Sequence, residues 1–170
     1  MRYSGTVKHN RKLSNRATKP EGKGMTEVEI GKLTQILCQR QRECHALLEN
    51  LLACQKLSFD NTLHGELPEL PGIYAISATN ASAGIYLRAG RTKTGAGVLR
   101  QRIYHNHFMG NQRGNLRAQL VSDGICADIE EAKRWVSKYC VVQFMIVQEA
   151  DVRRWVEYYM LSLLRPKYCD

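Results

Sequence analysis

Apolar residues recur at near-heptad spacing in the first third of the chain. The positions that form this stripe are Ile30, Leu33, Leu37, Cys44, Leu47, Leu51 and Cys54. The spacing predicts one amphipathic helix over residues 25–57, and Thr26-Glu27-Val28-Glu29 has the pattern of a capping box at its start. Because Arg40 interrupts the stripe, we expect the helix to dock on its own domain, with a dimer through residues 26–56 as the alternative.

The rest of the chain alternates between short β-prone runs and helical patterns. Residues 57–71 are rich in turn-forming residues and predict a linker. Two β-prone runs, Gly72–Ser77 and Gly84–Ala89, follow with a turn-rich segment between them, which predicts an antiparallel hairpin. Four more elements are predicted from periodicity and β-propensity: helices over 98–108, 116–121 and 129–137 and a strand over 140–147.

The last predicted element is a helix that Asp151 caps and that runs to about Leu164, ahead of Pro166. The predicted order is therefore β-β-α-α-α-β-α. This order indicates an α+β fold with a small three-stranded antiparallel sheet flanked by helices, over residues 70–170.

A basic leader precedes these elements. Residues 1–24 contain seven Lys or Arg against one acid, Glu21, and hold much of the formal net charge of +9. We expect this leader to be disordered, since it has too little apolar surface to offset its ordering entropy. Met25 and the capping box that follows it also have the pattern of a chain start.

The composition narrows the class of protein. Apolar residues make up 44% of the chain and charged residues 24%, which is typical of a globular domain and not of collagen-like or disordered chains. No apolar run approaches the roughly 18 residues of a membrane span, and the first residues lack the apolar core of a secretory signal. A cytoplasmic location without a membrane partner is therefore expected. The six cysteines form no Cys-x-x-Cys pair, which favours free thiols.

One interval of the domain is basic throughout. No Asp or Glu occurs between Glu69 and Asp123, whereas seven cations do: Arg88, Arg91, Lys93, Arg100, Arg102, Arg113 and Arg117. A basic surface without acids suits a phosphate backbone, because each cation that replaces a counterion adds salt-dependent affinity. A solvated basic face with no partner is the alternative.

Five short motifs over residues 70–170 resemble the GIY-YIG nuclease superfamily in their order and approximate spacing. They are Gly72-Ile73-Tyr74, a second strand ending in Gly90, Leu99-Arg100-Gln101-Arg102 on a helix, Glu157 on a late helix, and Pro166-Lys167-Tyr168. The resemblance implies a small antiparallel sheet flanked by helices. It also implies hydrolysis of DNA phosphodiester bonds with one divalent metal ion, Mg²⁺ or Mn²⁺.

Tyr74 and Arg102 are the first candidates for the catalytic site. The resemblance implies that the Tyr74 phenol hydrogen-bonds the attacking water or the phosphate, whereas the residues alone favour an ordinary strand tyrosine. The planar guanidinium of Arg102 matches phosphate oxygens and can stabilise transition-state charge, with a solvated helix arginine as the alternative. Arg100 lies about 200° away on the same helix, so only one of the two can face a given site, and the family pattern selects Arg102.

Two histidines compete for the role of proton acceptor or phosphate ligand. His105 follows Arg102 by three residues and shares its face on an α-helix, so geometry favours His105. Asn106-His107-Phe108-Met109 resembles a stretch found in one branch of the superfamily, and that resemblance points to His107. An imidazole ordinarily titrates near neutral pH, which suits general base catalysis.

Glu157 is the candidate metal ligand. It is the only charged residue between Trp155 and Leu164, and apolar residues share its helix face, so its carboxylate needs a partner. A single carboxylate suits Mg²⁺, which usually keeps several waters and takes one or two protein ligands together with phosphate oxygens. An ion pair with Arg153 or Arg154, one turn earlier, is the alternative.

The second motif departs from the family pattern. If Gly90 is its glycine, Arg88 occupies the tyrosine position, and Tyr86 lies two residues earlier on the same strand face. Both stay catalytic candidates, because a cation at Arg88 can orient a phosphate. Cys169 stands where the family often has Asn. Five further cations are candidate contacts to DNA: Arg91, Lys93, Arg100, Arg117 and Lys167.

Together with the resemblance, these residues predict a Mg²⁺-dependent DNA endonuclease, in which an activated water attacks the phosphodiester in line. One alternative is a nucleic-acid-binding module of the same fold with little turnover. Another is an RNA-directed binder. Cleavage of DNA in the presence of Mg²⁺ separates the first reading from the other two.

Overall fold

The computed structural model describes residues 24–79, 85–93, 97–110 and 114–168. The predicted basic leader up to residue 23, most of the predicted hairpin turn and Cys169 lie outside these ranges. Among the described residues, no helix combines the length and the apolar character that a membrane span requires.

Helix α1 spans Glu27–Ala53 and begins where the capping box predicts. The Thr26 hydroxyl accepts a hydrogen bond from the Glu29 backbone N–H, and the Glu29 carboxylate accepts one from the Thr26 N–H at 2.8 Å. Two N–H groups that the first turn leaves unpaired are thereby satisfied. Residues 27–43 are all exposed. The buried residues of α1 all lie in its second half: Cys44, Leu48 and Leu51. The expected docking on the domain therefore holds for only half of the helix.

The four strands of the described residues form one antiparallel sheet: β1 (Leu57–Ser58), β2 (Gly72–Ala78), β3 (Ile85–Arg91) and β4 (Cys140–Ile146). Their order across the sheet is β1-β4-β2-β3. The predicted α+β class, with an antiparallel sheet and helices, is confirmed. The predicted number of three strands is wrong, because the two-residue strand β1 pairs with β4.

The predicted linker at residues 57–71 is also wrong, since this segment belongs to the core. It contains β1 and the short helix α2, Leu63–Glu66. Its buried apolar side chains are Leu57, Phe59, Leu63 and Leu67. Burial of these apolar side chains stabilises the packing of the segment against the sheet, although turn residues interrupt the segment.

The remaining helices are a π-helix, Gln101–Phe108, and three α-helices, α3 (Leu116–Ser122), α4 (Ile129–Tyr139) and α5 (Ala150–Leu164). The N-terminal cap of α5 is Glu149, so the prediction that Asp151 caps this helix is wrong. Asp151 lies in the first turn, where a carboxylate interacts favourably with the positive end of the helix dipole.

Each face of the sheet carries its own helical layer. On one face, Tyr74 and Ile76 of β2 belong to a core that includes residues of the π-helix, α3 and α4. On the other face, Ile73 and Ala75 pack with residues of α1 and α5. Successive residues of β2 therefore serve two different cores, as the period of two in a strand requires.

A β-bulge in β3 shifts this alternation. Ile76 pairs with Arg88, whereas the next residue, Ser77, pairs with Tyr86, so Leu87 is the extra residue on β3. An extra residue reverses the faces of the residues beyond it relative to a regular strand. Arg88 and Tyr86 therefore lie on different faces of the sheet.

Candidate active site

Tyr74 lies in the middle of the central strand β2 and is fully buried. Its partner on the neighbouring strand β3 is Gly90, and its partner on β4 is Phe144. A Cβ atom on Gly90 would stand only 2.8 Å from the Tyr74 hydroxyl oxygen. A side chain at position 90 would therefore displace the phenol, so the glycine of the second motif is needed to seat the tyrosine of the first.

The Tyr74 hydroxyl joins Arg102 and His107 in one hydrogen-bonded cluster. Arg102 Nε donates to Tyr74 Oη at 3.2 Å, and Tyr74 Oη lies 2.8 Å from His107 Nε2. A guanidinium can only donate, so the phenol oxygen accepts from Arg102 and its own proton is available to His107. In this arrangement Nε2 of the imidazole is the acceptor and Nδ1 carries the ring proton.

The π-helix decides which histidine reaches this cluster. Its hydrogen bonds run from residue i to residue i+5, as in the 2.8 Å bond from the Met109 N–H to the Tyr104 carbonyl. Residues five apart are therefore stacked one turn above each other, and His107 is five residues after Arg102. His105, which α-helical geometry favours, instead packs its ring against the rings of His64 and Tyr104.

His107 is held in its neutral form by its surroundings. Burial lowers its pKa well below the ordinary 6.5, and the positive charges of Arg88 and Arg102 lower it further. No described residue supplies a hydrogen-bond partner for its buried Nδ1 atom. A neutral imidazole whose unprotonated Nε2 faces the Tyr74 hydroxyl is the form that can take a proton from Tyr74.

The lowered pKa predicts a loss of stability in mild acid. Below about pH 6.5 the unfolded chain binds a proton at His107 that the folded chain does not, so the free energy of unfolding falls as the pH falls. The slope contributed by one such proton is about 1.4 kcal/mol per pH unit. Urea unfolding between pH 5 and 7 should show a shallower slope in His107→Gln than in the wild type. His105→Gln is the matched control, and identical slopes in the wild type and His107→Gln would exclude this role.

Arg88 and Tyr86 are separated by the bulge, and the prediction that they share a face is wrong. Arg88 is buried on the Tyr74 side, where its Nη1 donates to the Gln119 side chain at 2.6 Å and to the Gly114 carbonyl at 3.1 Å. Tyr86 packs in the opposite core, and burial raises the pKa of its phenol. The amide of Gln119 had no signal in the sequence that could have identified it as a partner of Arg88.

Glu157 is on α5, which covers the opposite face of the sheet from Tyr74. Its Oε2 atom accepts a hydrogen bond from Arg91 Nε at 2.7 Å. Neither of the ion-pair partners suggested by spacing is used. Arg153 is buried and donates to backbone carbonyls, and Arg154 approaches Asp151 at 3.6 Å.

At Glu157 the described residues offer a divalent cation a single protein ligand, the Glu157 carboxylate itself. No group of three His, Cys, Asp or Glu side chains that could hold a metal ion occurs in the described part of the chain. One oxygen of Glu157 is engaged by Arg91. Mg²⁺ accepts a single protein carboxylate only when waters and phosphate oxygens complete its shell, so Glu157 alone would not form a complete site.

The five predicted DNA contacts differ in how available their charges are. Arg117 is 4% exposed and bonds to backbone carbonyls, Arg100 pairs with Glu69 at 2.6 Å, and Lys167 pairs with Asp123 at 2.7 Å. Arg91 holds Glu157. Lys93 is exposed and makes no ion pair with the part of the chain that the structure describes. Lys93 is thus the candidate most open to a phosphate.

The candidate site therefore consists of two groups on either side of β3, which ends the row of strands. Tyr74, Arg102 and His107 meet beside Gly90, and the next residue along β3, Arg91, holds Glu157 on the other face. The chain matches no protein-family model, and neither a curated protein nor a solved structure matches it.

Proposed function

We propose that this protein is a GIY-YIG-type endonuclease that hydrolyses DNA phosphodiester bonds. The observation that supports the proposal best is the cluster of Tyr74, Arg102 and His107. Arg102 and His107 follow Tyr74 by 28 and 33 residues along the chain, yet the side chains of both lie within hydrogen-bonding distance of the Tyr74 hydroxyl. Tyr74 and Arg102 come from two separate motifs of the resemblance, the Gly90 that seats Tyr74 comes from a third, and His107 comes from the stretch that resembles one branch of the superfamily.

The cluster has the chemistry to activate a water molecule. As Tyr74 Oη takes a proton from the water, its own proton can pass to His107 Nε2. The hydroxide then forms a bond to phosphorus in line as the opposite P–O bond breaks, and the leaving oxygen takes a proton from solvent. The positive charges of Arg88 and Arg102 favour an anionic phosphate beside them. A bound phosphate in turn offsets the two charges that lower the pKa of His107, which makes the imidazole a better base when substrate is present.

Glu157 is the residue of this chain that would hold Mg²⁺ or Mn²⁺. When bound with the substrate phosphate, the cation neutralises charge that develops on the phosphodiester oxygens. Gly90 and Arg91 are adjacent on β3 but serve opposite faces of the sheet, so a substrate must cross this edge of the sheet to contact both the Tyr74 cluster and Glu157.

A nucleic-acid-binding module with little turnover is the second candidate. The observation that favours it is the hydrogen bond between Arg91 and Glu157, which occupies a carboxylate oxygen that a cation needs. The full burial of Tyr74 and the near-complete burial of His107 point in the same direction, because a substrate must reach their polar atoms.

The deciding experiment measures cleavage of plasmid and linear duplex DNA by the wild type and Glu157→Gln, with Mg²⁺, Mn²⁺ or EDTA. We expect metal-dependent cleavage by the wild type and a loss of about 10²-fold or more in Glu157→Gln, because an amide lacks the charge that attracts the cation. DNA binding in EDTA should be retained by both. Glu49→Gln, an exposed site on α1, is the matched control.

Two outcomes would contradict parts of the proposal. Full cleavage by Glu157→Gln would remove the metal-binding role. Salt-dependent DNA binding by a wild type that cleaves no DNA with either metal would favour the binding module.

A further inference from the structure

The first half of α1 is an apolar surface that the described part of the domain leaves uncovered. Residues 27–43 are all exposed, and Trp155 of α5 marks where contact with the domain begins, since Arg40 stacks over its ring at 4.4 Å. The exposed large hydrophobic side chains in this region are Met25, Val28, Ile30, Leu33, Ile36 and Leu37. Their exposed fractions lie between 44% and 68%. Three of these side chains, Ile30, Leu33 and Leu37, share one helix face, and a stripe of exposed apolar side chains on one face is typical of an interaction site.

The uncovered surface continues a stripe that the domain itself uses. Ile30, Leu33 and Leu37 lie on the same helix face as Cys44 and Leu51, because their spacings follow the heptad pattern. The latter two pack in the core shared with α5. The domain therefore covers this apolar face at the C-terminal end of α1 and leaves it exposed to solvent at the N-terminal end.

We propose that two copies of this chain pair through residues 26–40 of α1 in an antiparallel orientation. A partner running parallel would follow the stripe toward Cys44, where α5 already occupies the same face in both copies. An antiparallel partner overlaps only the exposed halves. The two domains then lie at opposite ends of the paired helices and do not collide.

Charge favours the same orientation. Glu27 and Glu29 flank the apolar stripe at the start of the exposed half, whereas Arg40 lies within the stripe at its end. Antiparallel pairing brings the acidic end of each helix beside the basic end of the other, and parallel pairing brings like charges together. Arg40 is more than half exposed, stacks on Trp155 of α5 and forms an ion pair with Glu43 of its own helix, and it can exchange this ion pair for one across the interface.

Sedimentation equilibrium of the full chain tests the pairing. We expect a concentration-dependent dimer in the wild type and a dissociation constant at least about thirtyfold weaker in L33E/L37E, which places charges at the centre of the interface. The matched control is V28E/Q35E, which adds the same charge on the opposite face of α1 and should dimerise as the wild type does. Small-angle X-ray scattering of the dimer should show an elongated particle with the two domains apart.

Each remaining outcome would overturn the proposal. A wild type that stays monomeric at all concentrations would leave the stripe to a different partner. The full chain could be monomeric while a chain that begins at Met25 is dimeric. This result would indicate that residues 1–24, and not a second copy, bind the stripe. A dimer that survives L33E/L37E, or a compact dimer with adjacent domains, would exclude this interface or this orientation. None of these results depends on whether the protein cleaves DNA.

Discussion

Replacement of Tyr74 by Phe is expected to lower the rate of the proposed DNA cleavage by about 10²- to 10³-fold, because it removes one preorganised polar group from the proposed catalytic cluster. The substitution keeps the ring, which is fully buried beside Gly90. It removes the hydroxyl that accepts from Arg102 and that lies 2.8 Å from His107. Single-turnover cleavage at saturating enzyme measures the chemical step, and a thermal melt verifies that the variant is folded.

The chain offers a matched control in Tyr86→Phe. Tyr86 lies on the neighbouring strand, is partly buried and was also a candidate for catalysis, yet the bulge places it in the opposite core. Its substitution should leave the cleavage rate unchanged within error. An equal loss in both variants, or full activity of Tyr74→Phe, would exclude the cluster as the catalytic centre.

Replacement of Arg117 by Met is expected to destabilise the fold by about 3 kcal/mol or more. The guanidinium of Arg117 donates to the carbonyls of Phe108, Met109 and Ile129 at 2.8 to 3.3 Å. It thereby ties the end of the π-helix to the start of α4, and its removal leaves these carbonyls without their donor. For a chain of this size the melting temperature should fall by about 6 to 12 °C.

Lys93→Met is the control for Arg117→Met. Both positions were candidates for DNA contact, but Lys93 is exposed whereas Arg117 is buried. Lys93→Met should keep its melting temperature and weaken DNA binding, with a smaller dependence on salt. An unchanged melting temperature in Arg117→Met would show that its contacts to the carbonyls do not stabilise the fold.

The sequence correctly predicted the helices and strands that are specified by interactions between residues close together along the chain. The capping box places the start of α1 correctly, because its hydrogen bonds join residues three apart. The β-prone runs place β2 and β3 as an antiparallel pair, and β4 begins at Cys140 as predicted. The prediction of a linker at residues 57–71 is wrong because the sequence shows the turn residues of this segment but does not show the core that buries its apolar side chains.

Two irregularities in the backbone rearranged the candidate site. Regular alternation places Arg88 and Tyr86 on one face, but the extra residue Leu87 separates them. Regular α-helical geometry pairs Arg102 with His105, but the π-helix stacks it with His107. Neither irregularity follows from residue type, because both depend on how the strand and the helix are held by what packs against them.

The sequence by itself determined the α+β class, the identity of Tyr74, Arg102 and Glu157 as candidates, and the amphipathic character of α1. Only the tertiary structure decided that Tyr74 and Arg102 share a hydrogen bond and that Glu157 pairs with Arg91, 66 residues away, and not with an arginine one turn earlier. The physical reason is distance along the chain. Spacing arguments reach one or two turns of a helix, whereas these partners are brought together by the packing of α5 and the π-helix on opposite faces of one sheet.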